Sequence, residues 1–273
     1  MKRLPAILLL ALLSGCAAGP HIDRSFTAVG QSSRAEFLIL HYTVLDFPTS
    51  LKVLTEQVVS SHYLVRDNPP TIYQLVDDSR RAHHAGLGSW KGQGYLNAAS
   101  IGIEIVNQAT DGPDGGHYPD YPPAQIDAVI ALVKKIVKEH GIKPERVLGH
   151  SDIAPQRKQD PGPRFPWKRL ADEGLVVWPD AACVAQRRPE YENSLPDVDW
   201  FQDKLERFGY AVPRNGTLDE MTVNVIARFQ MKYRPSLFDG MPDAETAAML
   251  DVLTSPRENA AETGVRLPES YSK

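Results

Sequence analysis

Three segments far apart in the sequence carry side chains that can do metal-dependent chemistry. They are His41-Tyr42-Thr43, Ile101-Gly102-Ile103-Glu104, and Gly149-His150-Ser151-Asp152, the last followed by Lys158-Gln159-Asp160. Each segment follows or lies in an apolar, strand-like run, so a fold could bring them to one point. Their two imidazoles, two carboxylates and one ammonium are the ligands and helper groups of a catalytic zinc site.

A catalytic zinc ion needs three protein ligands and one open position, and His41, His150 and Asp160 fit that number. Glu104 is then the general base and proton shuttle, and Lys158 can stabilise the oxyanion of a tetrahedral intermediate. A purely structural role for these histidines remains the alternative. The sequence has neither a His-Glu-x-x-His motif nor a cysteine pair with zinc-finger spacing, and a single histidine after a strand is often a hydrogen-bonded structural residue.

The elements that position these residues alternate between strands and helices. Residues 37–40 and 146–149 are predicted strands, and isoleucines alternate along 101–105, which places Glu104 on the opposite face of its strand. Gly102 is expected to leave room beside that carboxylate. An apolar stripe with Pro123 at its start and Gly141 after its end predicts a helix over 123–140. The pattern predicts an α/β fold with a mixed central sheet flanked by helices.

The pattern after residue 195 is helical only, and it predicts a small C-terminal bundle of three helices. The predicted organisation is a signal peptide (1–15), a lipidated tether (16–34), a domain with the candidate zinc site (35–178), a linker (179–195), a helical domain (196–255) and a tail (256–273).

The N-terminus has the pattern of a secretory signal. Lys2 and Arg3 precede an apolar run over 4–13, which is too short to span a bilayer. Leu13-Ser14-Gly15-Cys16 resembles the lipobox of bacterial lipoproteins, which predicts a lipid on Cys16 and a membrane anchor. Because no Asp follows Cys16, we expect an outer-membrane lipoprotein that faces the periplasm of a Gram-negative bacterium. An ordinary cleaved signal peptide with an incidental cysteine is the alternative.

Charge and cysteine content argue against a nucleic-acid partner and against a fold stabilised by disulfides. The formal net charge is -4, and no basic cluster indicates a nucleic-acid partner. Cys16 and Cys183 are the two cysteines, so a lipid on Cys16 leaves no partner for a disulfide.

Five motifs together resemble one enzyme family. They are Leu40-His41-Tyr42-Thr43, Ser60 to Val65, His84-Ala85-Gly86, Asn97 to Glu104 and Val147 to Pro163. Their order and spacing over about residues 36–175 are similar to the amidase-2 (peptidoglycan recognition protein-like) family of N-acetylmuramoyl-L-alanine amidases, and with the lipobox they resemble its AmiD-type lipoproteins. The resemblance implies one Zn²⁺ on His41, His150 and Asp160, with Glu104 and Lys158 as catalytic residues. It also implies that residues 35–178 are an amidase domain that acts on peptidoglycan or muropeptides. We expect the protein to be a monomer.

Further side chains near these motifs are candidate helpers. His62, His84 and Arg157 are candidate substrate contacts. His62 is equally a candidate for a supporting position behind the ligand residues, and Arg157 is equally well explained as a solvated surface charge. Asp152 is expected to cap or brace the turn after His150.

Other functions remain open on the sequence. Phe201 to Tyr210, Phe229-Gln230 and Asp243 to Thr246 resemble the peptidoglycan-binding domain-1 fold, which favours wall binding but also suits a structural appendage. The chain could therefore be a recognition lipoprotein that binds without cutting, or a passive tether between membrane and wall. A different zinc hydrolase, such as a peptidase of the stem peptide, is a further alternative.

Overall fold

The computed structural model describes residues 19–110 and 116–255. The chain forms two units, residues 1–32 and 33–273. The described part of the first unit, 19–32, contains no helix or strand, and its residues are exposed. Cys16 and the predicted tail lie outside the described residues. Within the described ranges 19–110 and 116–255, no helix has both the length and the apolar character needed to cross a bilayer.

The second unit contains strands and helices in alternation, followed by helices. The strands are β1 (Phe37–Tyr42), β2 (Tyr63–Val65), β3 (Ile72–Gln74), β4 (Ser100–Ile105) and β5 (Val147–Gly149). The helices are α1 (Phe47–Glu56), α2 (Leu96–Ala99), α3 (Pro123–His140), α4 (His150–Ile153), α5 (Trp167–Asp172), α6 (Ala181–Asn193), α7 (Val198–Phe208), α8 (Glu220–Tyr233) and α9 (Ala244–Thr254).

The five strands form one sheet in the order β3-β2-β4-β1-β5. Strands β2, β4, β1 and β5 pair in parallel, and β3 joins the edge antiparallel to β2. The sheet is therefore mixed, and the predicted fold class is confirmed.

One face of the sheet packs on α3. The isoleucines of β4 and Leu38 and Leu40 of β1 share a buried cluster with the apolar stripe of this helix. Helix α3 begins at Pro123 and ends at His140. Gly141 caps it, with a positive φ of 68° that suits glycine and an N–H that donates to the carbonyl of Val137. These contacts turn the even-numbered residues of β4, including Glu104, to the other face.

The other face of the sheet shares a core with the C-terminal helices. Phe37, Ile39 and Leu148 belong to one buried cluster with Phe201 of α7 and Phe229 of α8. We refer to residues 33–180 as the sheet region and to residues 181–255 as the helical region. The two regions pack against each other through a continuous hydrophobic core.

The prediction of a linker over 179–195 is wrong for most of its length. Helix α6 occupies Ala181–Asn193, begins with an N-cap hydrogen bond from the N–H of Cys183 to Asp180, and contains Pro189. The three helices predicted over 196–255 are confirmed as α7, α8 and α9, and α6 precedes them in the helical region. Helix α6 has no fully buried residue, which is why its sequence lacks a clear apolar period.

Candidate active site

The register of the parallel strands places the candidate residues side by side, at the same height in the sheet. His41 in β1 is paired with Glu104 in β4, and Leu40 is paired with Gly149, the residue before His150. Side chains in register on adjacent parallel strands point to the same face. His41, Glu104 and His150 therefore meet near the carboxyl ends of three neighbouring strands, a common position for ligand sites in such sheets.

Asp160 completes a cluster of three converging ligand atoms. Nδ1 of His41 and Nδ1 of His150 lie 3.0 Å apart, and Oδ2 of Asp160 is 2.9 Å from the first and 3.0 Å from the second. All three side chains are buried, with exposed fractions of 1%, 3% and 5% in the order His41, His150, Asp160.

The surroundings of His150 fix which of its nitrogens carries the proton. Nε2 of His150 lies 3.0 Å from the carbonyl oxygen of Ala85. A carbonyl can only accept, so in the neutral imidazole Nε2 donates and Nδ1 has the free lone pair.

A chain of hydrogen bonds likewise fixes which nitrogen of His41 carries the proton. The hydroxyl of Ser100 donates to the carbonyl oxygen of Leu96 at 2.5 Å, so it accepts from Nε2 of His84 at 3.2 Å. Nδ1 of His84 is then an acceptor, and Nε2 of His41 donates to it at 3.0 Å. This leaves the lone pair of His41 on Nδ1, the atom that faces His150 and Asp160.

These donors fit a zinc ion. Two imidazole lone pairs and one carboxylate oxygen converge, and tetrahedral zinc with bonds of about 2.0–2.2 Å holds its ligand atoms about 3.3 Å apart. Burial, and after it the charge of His150, lowers the pKa of His41 to about 4. Burial alone would raise the pKa of Asp160, but His150 and His41 hold it below its usual range. Both pKa shifts favour the unprotonated forms of these side chains, which are the forms that bind metal.

Glu104 lies beside this cluster with one oxygen free. Its side chain is half-buried, and Oε2 is buried without a hydrogen-bond partner among the described residues. Burial first, and the charge of Asp160 second, raise the pKa of Glu104 well above its usual range. A carboxyl group whose pKa is raised in this way suits general acid–base catalysis.

A cavity of about 320 Å³ opens onto these groups. Glu104, Lys158 and the three converging ligand residues line its polar side, and Val44, Leu45, Val53, Leu54 and Val59 line its apolar side. The structure therefore brings together all five residues predicted to bind metal or catalyse.

The three candidate substrate contacts differ in position. His62 has an exposed fraction of 0%, accepts the N–H of Gly102 on Nδ1 and lies outside the residues that line the cavity, so its contact with a substrate stays a prediction. His84 and Arg157 do line the cavity. Arg157 also donates to the carbonyl oxygens of Ala85 and Leu87, which makes it a brace of that loop.

Gly102 serves a different purpose from the predicted one. A Cβ atom at this position would lie 2.5 Å from Cγ of His84. The space beside Glu104 is therefore taken up by the His84 ring, and glycine permits that close contact.

Asp78, Glu139 and His140 form a second cluster of possible ligands in the described ranges. Oδ2 of Asp78 already accepts from the hydroxyl of Tyr63 at 3.0 Å and lies 3.1 Å from Nε2 of His140. Because these groups satisfy one another and are partly exposed, the cluster is explained as a structural network.

Ser100 is a residue of the site that the sequence analysis missed. It orients His84 and, through it, His41. The available signal was its position, since residues 100, 102 and 104 share one face of β4.

We expect the substitution His84→Phe to weaken zinc binding about 10- to 100-fold, the range typical for partners that orient a metal ligand. An aromatic ring is kept, but the Nε2–H of His41 loses its buried acceptor. Competition with a chromophoric chelator measures the affinity. Ser100→Ala should give a smaller loss, and unchanged affinity in a folded His84→Phe protein would refute the role.

Two parts of the chain match known protein families. Residues 31–163 match the family described as N-acetylmuramoyl-L-alanine amidase, and residues 194–250 match a proposed peptidoglycan binding domain.

Two relatives from Escherichia coli (strain K12) illustrate the similarity. The N-acetylmuramoyl-L-alanine amidase AmiD is 42% identical over 261 residues, which are 89% of this chain and 93% of that protein. The 1,6-anhydro-N-acetylmuramyl-L-alanine amidase AmpD is 38% identical over 163 residues, which are 59% of this chain and 76% of that protein.

Two solved structures share the fold over most of the chain. AmpDh3 from Pseudomonas aeruginosa, in complex with anhydromuramic pentapeptide, has a TM-score of 0.79 at 39% identity and covers 85% of this chain and 96% of its own. AmiD from E. coli, in complex with anhydro-N-acetylmuramic acid-L-Ala-D-gamma-Glu-L-Lys, has a TM-score of 0.75 at 40% identity and covers 86% of this chain and 94% of its own.

Proposed function

Because this chain belongs to the N-acetylmuramoyl-L-alanine amidase family, we propose that it cleaves its substrate with one Zn²⁺ held by His41, His150 and Asp160. The bond broken is the amide between the lactyl carbonyl of N-acetylmuramic acid and L-alanine. The convergence of two imidazole nitrogens and one carboxylate oxygen within 3.0 Å of one another carries the proposal.

His41, His150 and Asp160 would hold the zinc ion, and the chemistry supplied there would be Lewis-acid activation of a water molecule and of the scissile carbonyl. Glu104 takes a proton from the attacking water and gives it to the leaving nitrogen of L-alanine, for which its free Oε2 and raised pKa are suited. Lys158, on the same cavity wall, stabilises the negative charge that develops on the carbonyl oxygen. The products are a free muramic carboxylate and a stem peptide with a free L-alanine amino group.

We further propose that the substrates are peptidoglycan and muropeptides, anhydro-muropeptides among them, as in cell-wall turnover. Support comes from the anhydromuramyl peptides bound to the two similar structures. The helical region adds a surface for the wall, in line with its match to a proposed peptidoglycan binding domain. The protein acts as a monomer.

Attachment to the periplasmic side of the outer membrane through a lipid on Cys16 is also part of this proposal. The lipobox-like sequence over 13–16 supports it. We expect Cys16→Ala to move the protein from the membrane fraction to the soluble periplasmic fraction, because a cleaved chain without acyl groups has no anchor. Cell fractionation with immunodetection measures this, and Cys183→Ala is the matched control. Unchanged membrane association of Cys16→Ala would refute the anchor.

Digestion of purified sacculi tests the activity and separates the alternatives. The soluble chain from Ala17 onward is incubated with sacculi, and mass spectrometry identifies what is released. Stem peptides that begin with L-alanine are the expected products. Shorter peptides would indicate a peptidase, and binding without release would indicate a recognition protein.

A further inference from the structure

A buried carboxylate links the sheet region to the helical region directly behind the candidate metal site. Asp152 in α4 has an exposed fraction of 1%. Its Oδ1 accepts the hydroxyl of Tyr210 at 2.6 Å, and its Oδ2 pairs with Nζ of Lys232 at 2.6 Å. Tyr210 follows α7, and Lys232 lies on α8. Both partners of this carboxylate therefore come from the helical region, and we call the three residues the Asp152 bridge.

The Asp152 bridge holds the turn that presents a metal ligand. Oδ2 of Asp152 also accepts the backbone N–H of Gly149 at 2.8 Å, and Gly149 immediately precedes His150. Within the same turn, the N–H of Ser151 donates to the carbonyl oxygen of Asp160 at 2.9 Å. A displacement of Asp152 would therefore be transmitted to the backbone of two of the three ligand residues.

Lys232 is placed to neutralise Asp152 by direct contact. Its side chain is 4% exposed, and its Nζ lies 4.1 Å from the centroid of the Trp167 ring, in the geometry of a cation–π contact. Helix α8 also buries Val225 and Phe229. A lysine on an otherwise apolar helix face is costly unless its charge is paired. Removal of Lys232 would leave the charge of Asp152 buried and unpaired beside the metal site.

We propose that the helical region completes the metal site, with Lys232 and Tyr210 as positioning residues that hold His150 through Asp152. This inference rests on the proposed zinc function. It assigns the helical region a role in catalysis in addition to wall binding, because two of its side chains set the geometry of the ligand turn.

The substitution Lys232→Met in the full soluble chain tests this role. We expect zinc affinity, measured by competition with a chromophoric chelator, to fall about 10- to 100-fold, as for other residues that orient metal ligands. The visible absorption bands of the cobalt-substituted protein should change in position or intensity, since they report ligand geometry. Activity is recorded last and should fall with zinc occupancy.

Lys204→Met is the matched control. Nζ of Lys204 pairs with Asp251 at 2.7 Å and lies 5.2 Å from the Trp200 ring, so the same chemistry is removed within the helical region alone. This variant should lose thermal stability but keep the zinc affinity and cobalt spectrum of the unsubstituted protein. An equal loss of zinc affinity in both variants would show a general effect of destabilisation and would overturn the proposal.

Two further variants keep the test decisive. The double variant Lys232→Met/Asp152→Asn should bind zinc more tightly than Lys232→Met, because no unpaired charge remains buried. If Lys232→Met does not fold, Tyr210→Phe tests the Asp152 bridge in its place. We expect this variant to lose zinc affinity several-fold. Unchanged affinity and cobalt spectrum in the folded variants would overturn the bridge, whereas failure of the unsubstituted protein to bind zinc would overturn the zinc function itself.

Discussion

The substitution Asp160→Asn is expected to remove zinc binding and to lower kcat/KM by about 10³-fold or more, the equivalent of several kcal/mol of lost Lewis-acid stabilisation. The side chain keeps its size, but the anionic oxygen that faces both imidazoles is replaced by a poor ligand. Metal analysis after dialysis and the rate of release of L-alanyl peptides measure the two effects. Asp172→Asn, which alters an exposed carboxylate paired with Lys168, is the control and should behave like the unsubstituted protein. Stoichiometric zinc in a folded Asp160→Asn protein would contradict the assignment of this ligand.

The substitution Glu104→Gln should separate catalysis from metal binding. Zinc content should be unchanged, because Glu104 is not among the three converging ligands. Turnover should fall about 10²- to 10⁴-fold, the usual contribution of a general acid–base residue. Glu139→Gln is the matched control, since its carboxylate is exposed and pairs with Lys135. Full activity in a folded Glu104→Gln protein would rule out the proton transfer assigned to Glu104.

The pH dependence of stability provides a second measure of Glu104. Its folded pKa is raised above the ordinary value of 4.5, so the folded state binds this proton more tightly than the unfolded state. The resulting stability is present at low pH and is lost as the pH rises above 4.5 towards the folded pKa. In metal-free protein, the melting temperature of Glu104→Gln relative to the unsubstituted chain should therefore be higher at pH 7 than at pH 4. Thermal unfolding monitored by circular dichroism tests this, and a pH-independent difference would contradict the raised pKa.

The parts of the fold that the sequence predicted are those with a strong local period. The apolar stripe of α3 and the alternation of isoleucines in β4 each specify which face is buried. Because His41 and His150 lie at the ends of apolar strands, their approach follows from parallel pairing once the sheet forms. Helix α6 was missed because none of its residues is fully buried and its sequence has no apolar period.

The contacts that orient the site could not be predicted because they join residues distant in sequence. The hydrogen bond from His41 to His84 requires the ring to lie against Gly102, which depends on the packing of a loop on the sheet. The prediction that Asp152 braces its turn is confirmed by the hydrogen bond that it accepts from the N–H of Gly149. Its pairing with Lys232, 80 residues away, arises only when the helical region packs on the sheet.

Zinc titration of the metal-free protein against a defined anhydromuramyl peptide tests most directly whether this chain is a zinc-dependent amidase. Chelation should abolish the release of the L-alanyl peptide, and added zinc should restore it up to a plateau at one equivalent. Mass spectrometry of the products should show cleavage between the muramic acid and L-alanine. Release that is insensitive to chelation, or cleavage elsewhere in the peptide, would contradict the proposed function.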